Sequence, residues 1–208
     1  MNYENQHIVF DLDGTLITCQ ERQMTLLQSI LKTYSYRFSL DDIWDLKQKG
    51  LSIRECLEKI GFSKNHVQAI SNRWIGEIET PYWLSLDTCY AETQSVLKRL
   101  SESQTKLTLL TARKNSYWLN QQLRHLGLIY FFERVISVLP ATAVDCKTRE
   151  LALLRPDLYI GDTEIDYLSA INSGIQIKLV SHGQRSKIFL NGSTRIVCYD
   201  NLSCALNF

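Results

Sequence analysis

Residues 7–18 read HIVFDLDGTLIT: a short apolar run stops abruptly on two aspartates, a glycine and a threonine. A run of this length and composition reads as a buried strand. A carboxylate at the end of such a strand is costly to desolvate, so it needs water, a cation or hydrogen-bond donors. Two further segments repeat the arrangement. Residues 107–110 run into Thr111, and Leu158-Tyr159-Ile160 runs into Gly161-Asp162. Each strand thus delivers a polar group at its carboxyl end, the edge of an open parallel sheet at which ligands bind.

Beyond residue 84 the spacing predicts alternation. Helices are expected at 91–101, 116–126, 148–154 and 165–173, with strands at 107–110, 135–138 and 158–160 and near 175–180 and 195–198. Strands alternating with helices imply right-handed crossovers and a parallel sheet covered on both faces. Between residues 17 and 84 only helical patterns occur. Met24, Leu27, Ile30, Leu31 and Tyr34 recur at helical spacing, Ser52-Ile53-Arg54-Glu55 has the form of a capping box, and another helix starts after Ser63 and ends near Pro81. The expected fold class is α/β, a doubly wound parallel sheet built from residues 1–17 and 85–208, with residues 18–84 inserted as a helical cap. A chain of 208 residues is long enough for both.

Composition removes several classes of function. With 23 basic and 22 acidic residues the formal charge is +1, so no global field draws nucleic acid or an anionic membrane. The longest apolar stretch, residues 126–132, is too short to span a bilayer, and residues 1–6 are polar, unlike a signal peptide. The expectation is a cytoplasmic protein. Six cysteines occur without a C-x-x-C pair or a histidine-rich neighbourhood, a pattern of reduced packing thiols rather than zinc or disulfides. His66, His125 and His182 fall in no motif and read as surface or packing residues, as Trp44, Trp74, Trp83 and Trp118 read as packing.

Aspartates gathered at one sheet edge repel one another unless a divalent cation is shared, and hard oxygen ligands favour magnesium. Lys147 is expected to open the helix after another strand and so to reach the same edge. A lysine, a threonine hydroxyl and loop amides facing a cation suit a phosphate group.

The motifs DLDGT (Asp11 to Thr15), LLTAR (Leu109 to Arg113), Lys147 and GDTEID (Gly161 to Asp166) resemble, in order, the four motifs of the haloacid dehalogenase superfamily. The helical insertion resembles the cap of its phosphoglycolate phosphatase and beta-phosphoglucomutase branch. The resemblance implies Asp11 as a nucleophile forming an aspartyl-phosphate and Asp13 as general acid and base. It implies magnesium held by the Asp11 carboxylate, the Asp13 backbone carbonyl and Asp162, with Asp166 holding the outer shell. Gly14, Thr111, Ala112, Arg113 and Lys147 would contact the substrate, Lys147 neutralising the phosphoryl charge. Only about two helical turns fit between Lys147 and Gly161, so Arg113 and Lys114 stand as alternative cations. The polar segment DLKQKGLS, with Lys47, Lys49 and Gly50, is expected to line the cap face over the site. A small phosphorylated metabolite is the implied substrate. A sugar-phosphate mutase and a non-catalytic binding module are the competing readings; retention of both Asp11 and Asp13 counts against the module.

Overall fold

The computed structural model describes residues 3–34 and 39–208. Six strands, β1 (His7–Phe10), β2 (Lys106–Ala112), β3 (Arg134–Val138), β4 (Leu158–Gly161), β5 (Ile177–Val180) and β6 (Cys198–Tyr199), form one sheet in the order β3-β2-β1-β4-β5-β6. Every neighbouring pair is parallel. The chain winds outward from β1 to β2 and β3, then returns to β4 and winds the other way. The carboxyl ends of β1 and β4 therefore flank the topological switch point.

Alternation along the strands sorts side chains onto two faces. Ile8, Phe10, Leu107, Leu109 and Ile160 join a core completed by α6 (Thr93–Glu102), α7 (Ser116–His125) and α11 (Leu202–Leu206). Val9, Leu110, Tyr159 and Leu179 join another, completed by α8 (Ala143–Leu154), α9 (Glu164–Ser173) and α10 (Lys187–Ser193). Burial on both faces explains why the strands read as near-continuous apolar runs.

Between β1 and α6 the chain forms α1 (Gln20–Leu31), α2 (Leu40–Gln48), α3 (Ile53–Lys59), α4 (Lys64–Glu77) and α5 (Pro81–Leu84). These helices enclose an apolar cluster of their own that includes Leu27, Ile30, Ile43, Leu57, Val67, Ile70 and Trp74. The Ser52 capping box forms with both reciprocal bonds, Ser52 N to Glu55 Oε2 at 2.7 Å and Glu55 N to Ser52 Oγ at 3.3 Å.

Several boundaries differ from the sequence expectation. Helix α8 begins at Ala143 rather than 148, after a turn of 3-10 helix opened by Pro140. Lys147 consequently lies in its second turn instead of opening it. The helix expected from after Ser63 to near Pro81 ends at Glu77, and Pro81 opens the separate short helix α5 at its favoured N1 position. Strand β6 is two residues long, at 198–199 and not 195–198, and Val197 is exposed. Helices α10 and α11 have no counterpart in the sequence expectation. Each is short and capped by a side chain, Ser186 and Asn201 respectively, a signal too local to register as periodicity. All six cysteines are free thiols, and no helix among the described residues is long and apolar enough to cross a membrane.

Candidate active site

Asp11 leaves β1 with its N–H bonded to the Ile160 carbonyl of β4 at 2.8 Å. The chain then turns tightly, Gly14 N donating to Ile17 O at 2.8 Å. Gly14 has φ +84°, and a Cβ there would lie 2.1 Å from Asp162 Oδ2. Only glycine accommodates both the backbone sign and the approach of that carboxylate. Gly183, after β5, is constrained by the close approach alone, since its Cβ would meet the same oxygen at 2.3 Å.

Asp11, Asp162 and Asp166 bring one oxygen each within 4.8 Å of one another, and all three are buried. Lys147 Nζ donates to Asp11 Oδ1 at 2.7 Å, Asp166 Oδ1 at 2.7 Å and the Tyr159 hydroxyl at 3.0 Å. Burial would lower the lysine's pKa, but Asp11 and Asp166 together raise it well above its ordinary value. Asp166 is saturated. Its Oδ1 accepts from Lys147 and Tyr159, and its Oδ2 from Asp162 N, Thr163 N and the Thr163 hydroxyl. Against the effect of burial, Lys147 and these donors hold its carboxyl below the usual range. The carboxylate therefore suits orientation of Lys147 and the 162–163 backbone.

Asp162 is different. It is fully buried and accepts only Gln184 N at 2.7 Å and the Thr15 hydroxyl at 3.4 Å, with no cationic partner among the described residues. Burial, then Asp166 and Asp11, push its pKa well above 3.8. Asp11 is pushed up to about 7, burial outweighing the pull of Lys147. Two buried carboxylates facing each other with one lysine between three acids leave a deficit of positive charge. A hard divalent cation fits that deficit and the all-oxygen donor set.

Asp13 points elsewhere. Its carboxylate accepts Arg113 Nε at 2.6 Å and Nη2 at 2.6 Å, and Arg22 Nη2 from α1 at 2.5 Å. Both arginines also face Asp87, at 3.0 Å from Arg22 and 3.6 Å from Arg113. Burial would raise the Asp13 pKa, but Arg113 and then Arg22 hold it below the usual range. Its backbone carbonyl accepts Gln184 Nε2 at 3.2 Å.

Asp11, Asp13, Thr111, Ala112 and Lys147 line a cavity of about 140 Å³ together with Thr163, Ile165, Gln184 and Arg185. Of the alternative cations, Arg113 serves Asp13. Lys114 turns away, its Nζ donating to Ile75 O at 2.5 Å and its N–H to Glu79. The longer α8 carries Lys147 into the site, so the cation beside Asp11 is Lys147. Sequence reasoning missed Tyr159, Gln184, Arg185, Arg22 and Asp87. Tyr159 was readable as an unusual polar tip within a fully buried strand; the other four sit in no motif.

A parallel α/β core with buried acids at the strand ends beneath an inserted helical segment defines a class of hydrolases. The sequence model described as haloacid dehalogenase-like hydrolase matches residues 8–180, and the chain belongs to that family of enzymes. It is 29% identical over 189 residues to the phosphoglycolate phosphatase of Rhodobacter capsulatus, covering 86% of this chain and 85% of that one. Among solved structures, a putative phosphatase from Clostridium difficile superposes with a TM-score of 0.79 at 17% identity, covering 98% of each chain. A haloacid dehalogenase-like hydrolase from Streptococcus pneumoniae gives 0.75 at 20% identity, over 93% of this chain and 92% of that one. These structural likenesses concern the fold.

Proposed function

We propose that the protein is a magnesium-dependent cytoplasmic phosphatase that hydrolyses a small, phosphoglycolate-like phosphomonoester through an aspartyl-phosphate on Asp11. The observation that carries this reading is the buried Asp11–Asp162 pair with Lys147 against Asp11, a site short of positive charge and open to the cavity that Thr111 and Ala112 line. The similarity to a phosphoglycolate phosphatase supports the substrate class.

The Asp11 carboxylate, the Asp13 carbonyl and Asp162 would hold the ion. When bound it supplies charge neutralisation at the phosphoryl oxygens. In the first step an Asp11 oxygen attacks phosphorus, the ester P–O bond breaks and the leaving alkoxide takes a proton from Asp13. In the second, Asp13 takes a proton from water, the resulting hydroxide attacks phosphorus and the Asp11–phosphorus bond breaks, releasing inorganic phosphate. Lys147 and the Thr111–Ala112 corner steady the phosphoryl oxygens. The two-arginine clamp keeps Asp13 ionised, the form required for the second step. For the first step Asp13 must loosen from at least one arginine, and Arg22, which comes from α1, couples that loosening to movement of the helical segment.

Intact-mass analysis during turnover of an aryl phosphate tests the assignment. Asp13→Asn should accumulate a phosphoenzyme, whereas Asp11→Asn should form none and lose hydrolysis even for excellent leaving groups. A phosphoenzyme in Asp11→Asn would refute the roles of both aspartates.

A further inference from the structure

Glu79 lies in the turn between α4 and α5, where the helical segment comes back to the core, and it is buried. Both of its oxygens are spent on backbone. Oε1 accepts Lys114 N at 3.1 Å and Oε2 accepts Asn115 N at 2.9 Å. A carboxylate is costly to bury, and one that takes two consecutive N–H groups holds that stretch of backbone through charge-assisted hydrogen bonds. Helix capping does not account for the arrangement. Helix α7 begins at Ser116 and already has its cap, Asn115 Oδ1 accepting Trp118 N at 3.0 Å, whereas Glu79 takes the two N–H groups that precede the helix.

The backbone so held is the loop that leaves β2. Thr111 and Ala112 line the cavity beside Asp11, Arg113 grips Asp13 through Nε and Nη2, each at 2.6 Å, and Lys114 and Asn115 follow directly. Two further bonds tie the same short piece of the helical segment to this neighbourhood. Lys114 Nζ donates to Ile75 O at 2.5 Å, and Arg22, whose Nη2 reaches Asp13, donates through Nη1 to Ile78 O at 3.3 Å. Residues 75–79 thus rest at once on the loop after β2 and on the clamp around Asp13. Of these contacts, only those of Glu79 are made by a side chain of that piece.

We propose that Glu79 is a positioning residue for phosphoryl transfer: its carboxylate, delivered by the helical segment, sets the Thr111–Ala112–Arg113 corner in the form that receives the transferring group. The site is then complete only while residues 75–79 rest on the loop after β2. This rests on the phosphatase reading and adds to it a residue that acts through the backbone of another element. Without the carboxylate the Lys114 and Asn115 N–H groups lose their partners and the loop is free to shift. A misplacement of about 1 Å costs on the order of a hundredfold in rate. The corner engages the phosphoryl oxygens as phosphorus changes partners in both steps, so the loss falls on kcat more than on KM.

The test compares wild type, Glu79→Ala, Glu79→Gln and Glu77→Gln, all with magnesium. An aryl phosphate gives kcat and KM, orthovanadate serves as an inhibitor that mimics the phosphoryl group, and amide hydrogen exchange follows residues 107–118. Glu77 pairs with Arg73 at 2.6 Å on the outside of α4 and controls for charge in the same segment. Glu79→Ala should lower kcat by about tenfold to a hundredfold with KM little changed, weaken orthovanadate inhibition by a similar factor and speed exchange at Lys114 and Asn115. Glu79→Gln keeps one acceptor oxygen and should fall between alanine and wild type; it carries the test if the alanine variant does not fold. Glu77→Gln should match wild type. A lower melting temperature with kcat and orthovanadate inhibition unchanged marks a purely structural glutamate and overturns the proposal. So does a fall in kcat without faster exchange at Lys114 and Asn115, or an equal fall in Glu77→Gln. If wild type hydrolyses no phosphomonoester, the phosphatase reading fails separately, and hydrogen exchange alone decides whether Glu79 holds the loop.

Discussion

Replacing Asp162 by asparagine removes the charge that the fold leaves least compensated. Its oxygen lies within 4.8 Å of an Asp11 oxygen, and two unit charges at that separation repel by about 3.5 kcal/mol at an effective dielectric constant of about 20, an upper bound here because Asp11, pushed up to about 7, is part-protonated at neutral pH. The amide keeps one acceptor for Gln184 N and weakens the other contact, a loss of about 1 kcal/mol. The metal-free variant should therefore gain roughly 2 kcal/mol at neutral pH, a rise of about 4–8 °C in Tm for a chain of this size. The sign follows from the raised pKa of Asp162 in the folded state. Its contribution to stability is fully present below the ordinary value of 3.8 and is lost as pH rises toward the folded value. The advantage of Asp162→Asn should accordingly vanish near pH 4 and grow toward neutrality. Magnesium inverts the order. At about a hundred times Kd it should stabilise wild type by about 2.7 kcal/mol, and the variant, which lacks a ligand charge, should gain little. Thermal melts of both proteins from pH 4 to 8, with EDTA and with magnesium, measure all of this. A variant less stable than wild type in EDTA at pH 7, with an equal magnesium shift in both, would show that the ion sits elsewhere and that Asp162 is compensated.

Lys147→Met should destabilise the fold by about 3–5 kcal/mol at pH 7.5, since it strands two buried carboxylates; urea unfolding should show the penalty shrinking toward pH 5.5 as Asp11 and Asp166 take up protons. Gly14→Ala should weaken magnesium binding by about tenfold or more in a calorimetric titration, because both the positive φ and the contact with Asp162 force the loop to shift; unchanged affinity would mean the turn does not position the ion.

How far the sequence discloses this molecule depends on where each partner lies along the chain. Strands β1, β2 and β4 were readable because burial on both faces writes a continuous apolar run, and the polar residue ending each run marked the site edge directly. The Ser52 capping box was readable because both of its bonds join residues three apart. Lys147 was harder: its reach to Asp11 spans 136 residues and depends on α8 starting one turn earlier than periodicity indicates, a consequence of Pro140 setting up a 3-10 turn before the helix. Arg22 and Gln184 were illegible for the same reason in stronger form. An arginine within a helix is ordinarily a solvated charge, and nothing local to Arg22 says that its guanidinium is buried between Asp13 and Asp87. Gln184 meets the Asp13 carbonyl across 171 residues of chain. Motif residues are set by the chemistry, which demands the same atoms wherever the fold is used. Residues such as Arg22 and Gln184 are set by how this particular helical segment rests on this particular loop. It follows that the family was open to sequence reading, whereas the contact between α2 and the loop after β5 becomes visible only when both are in place.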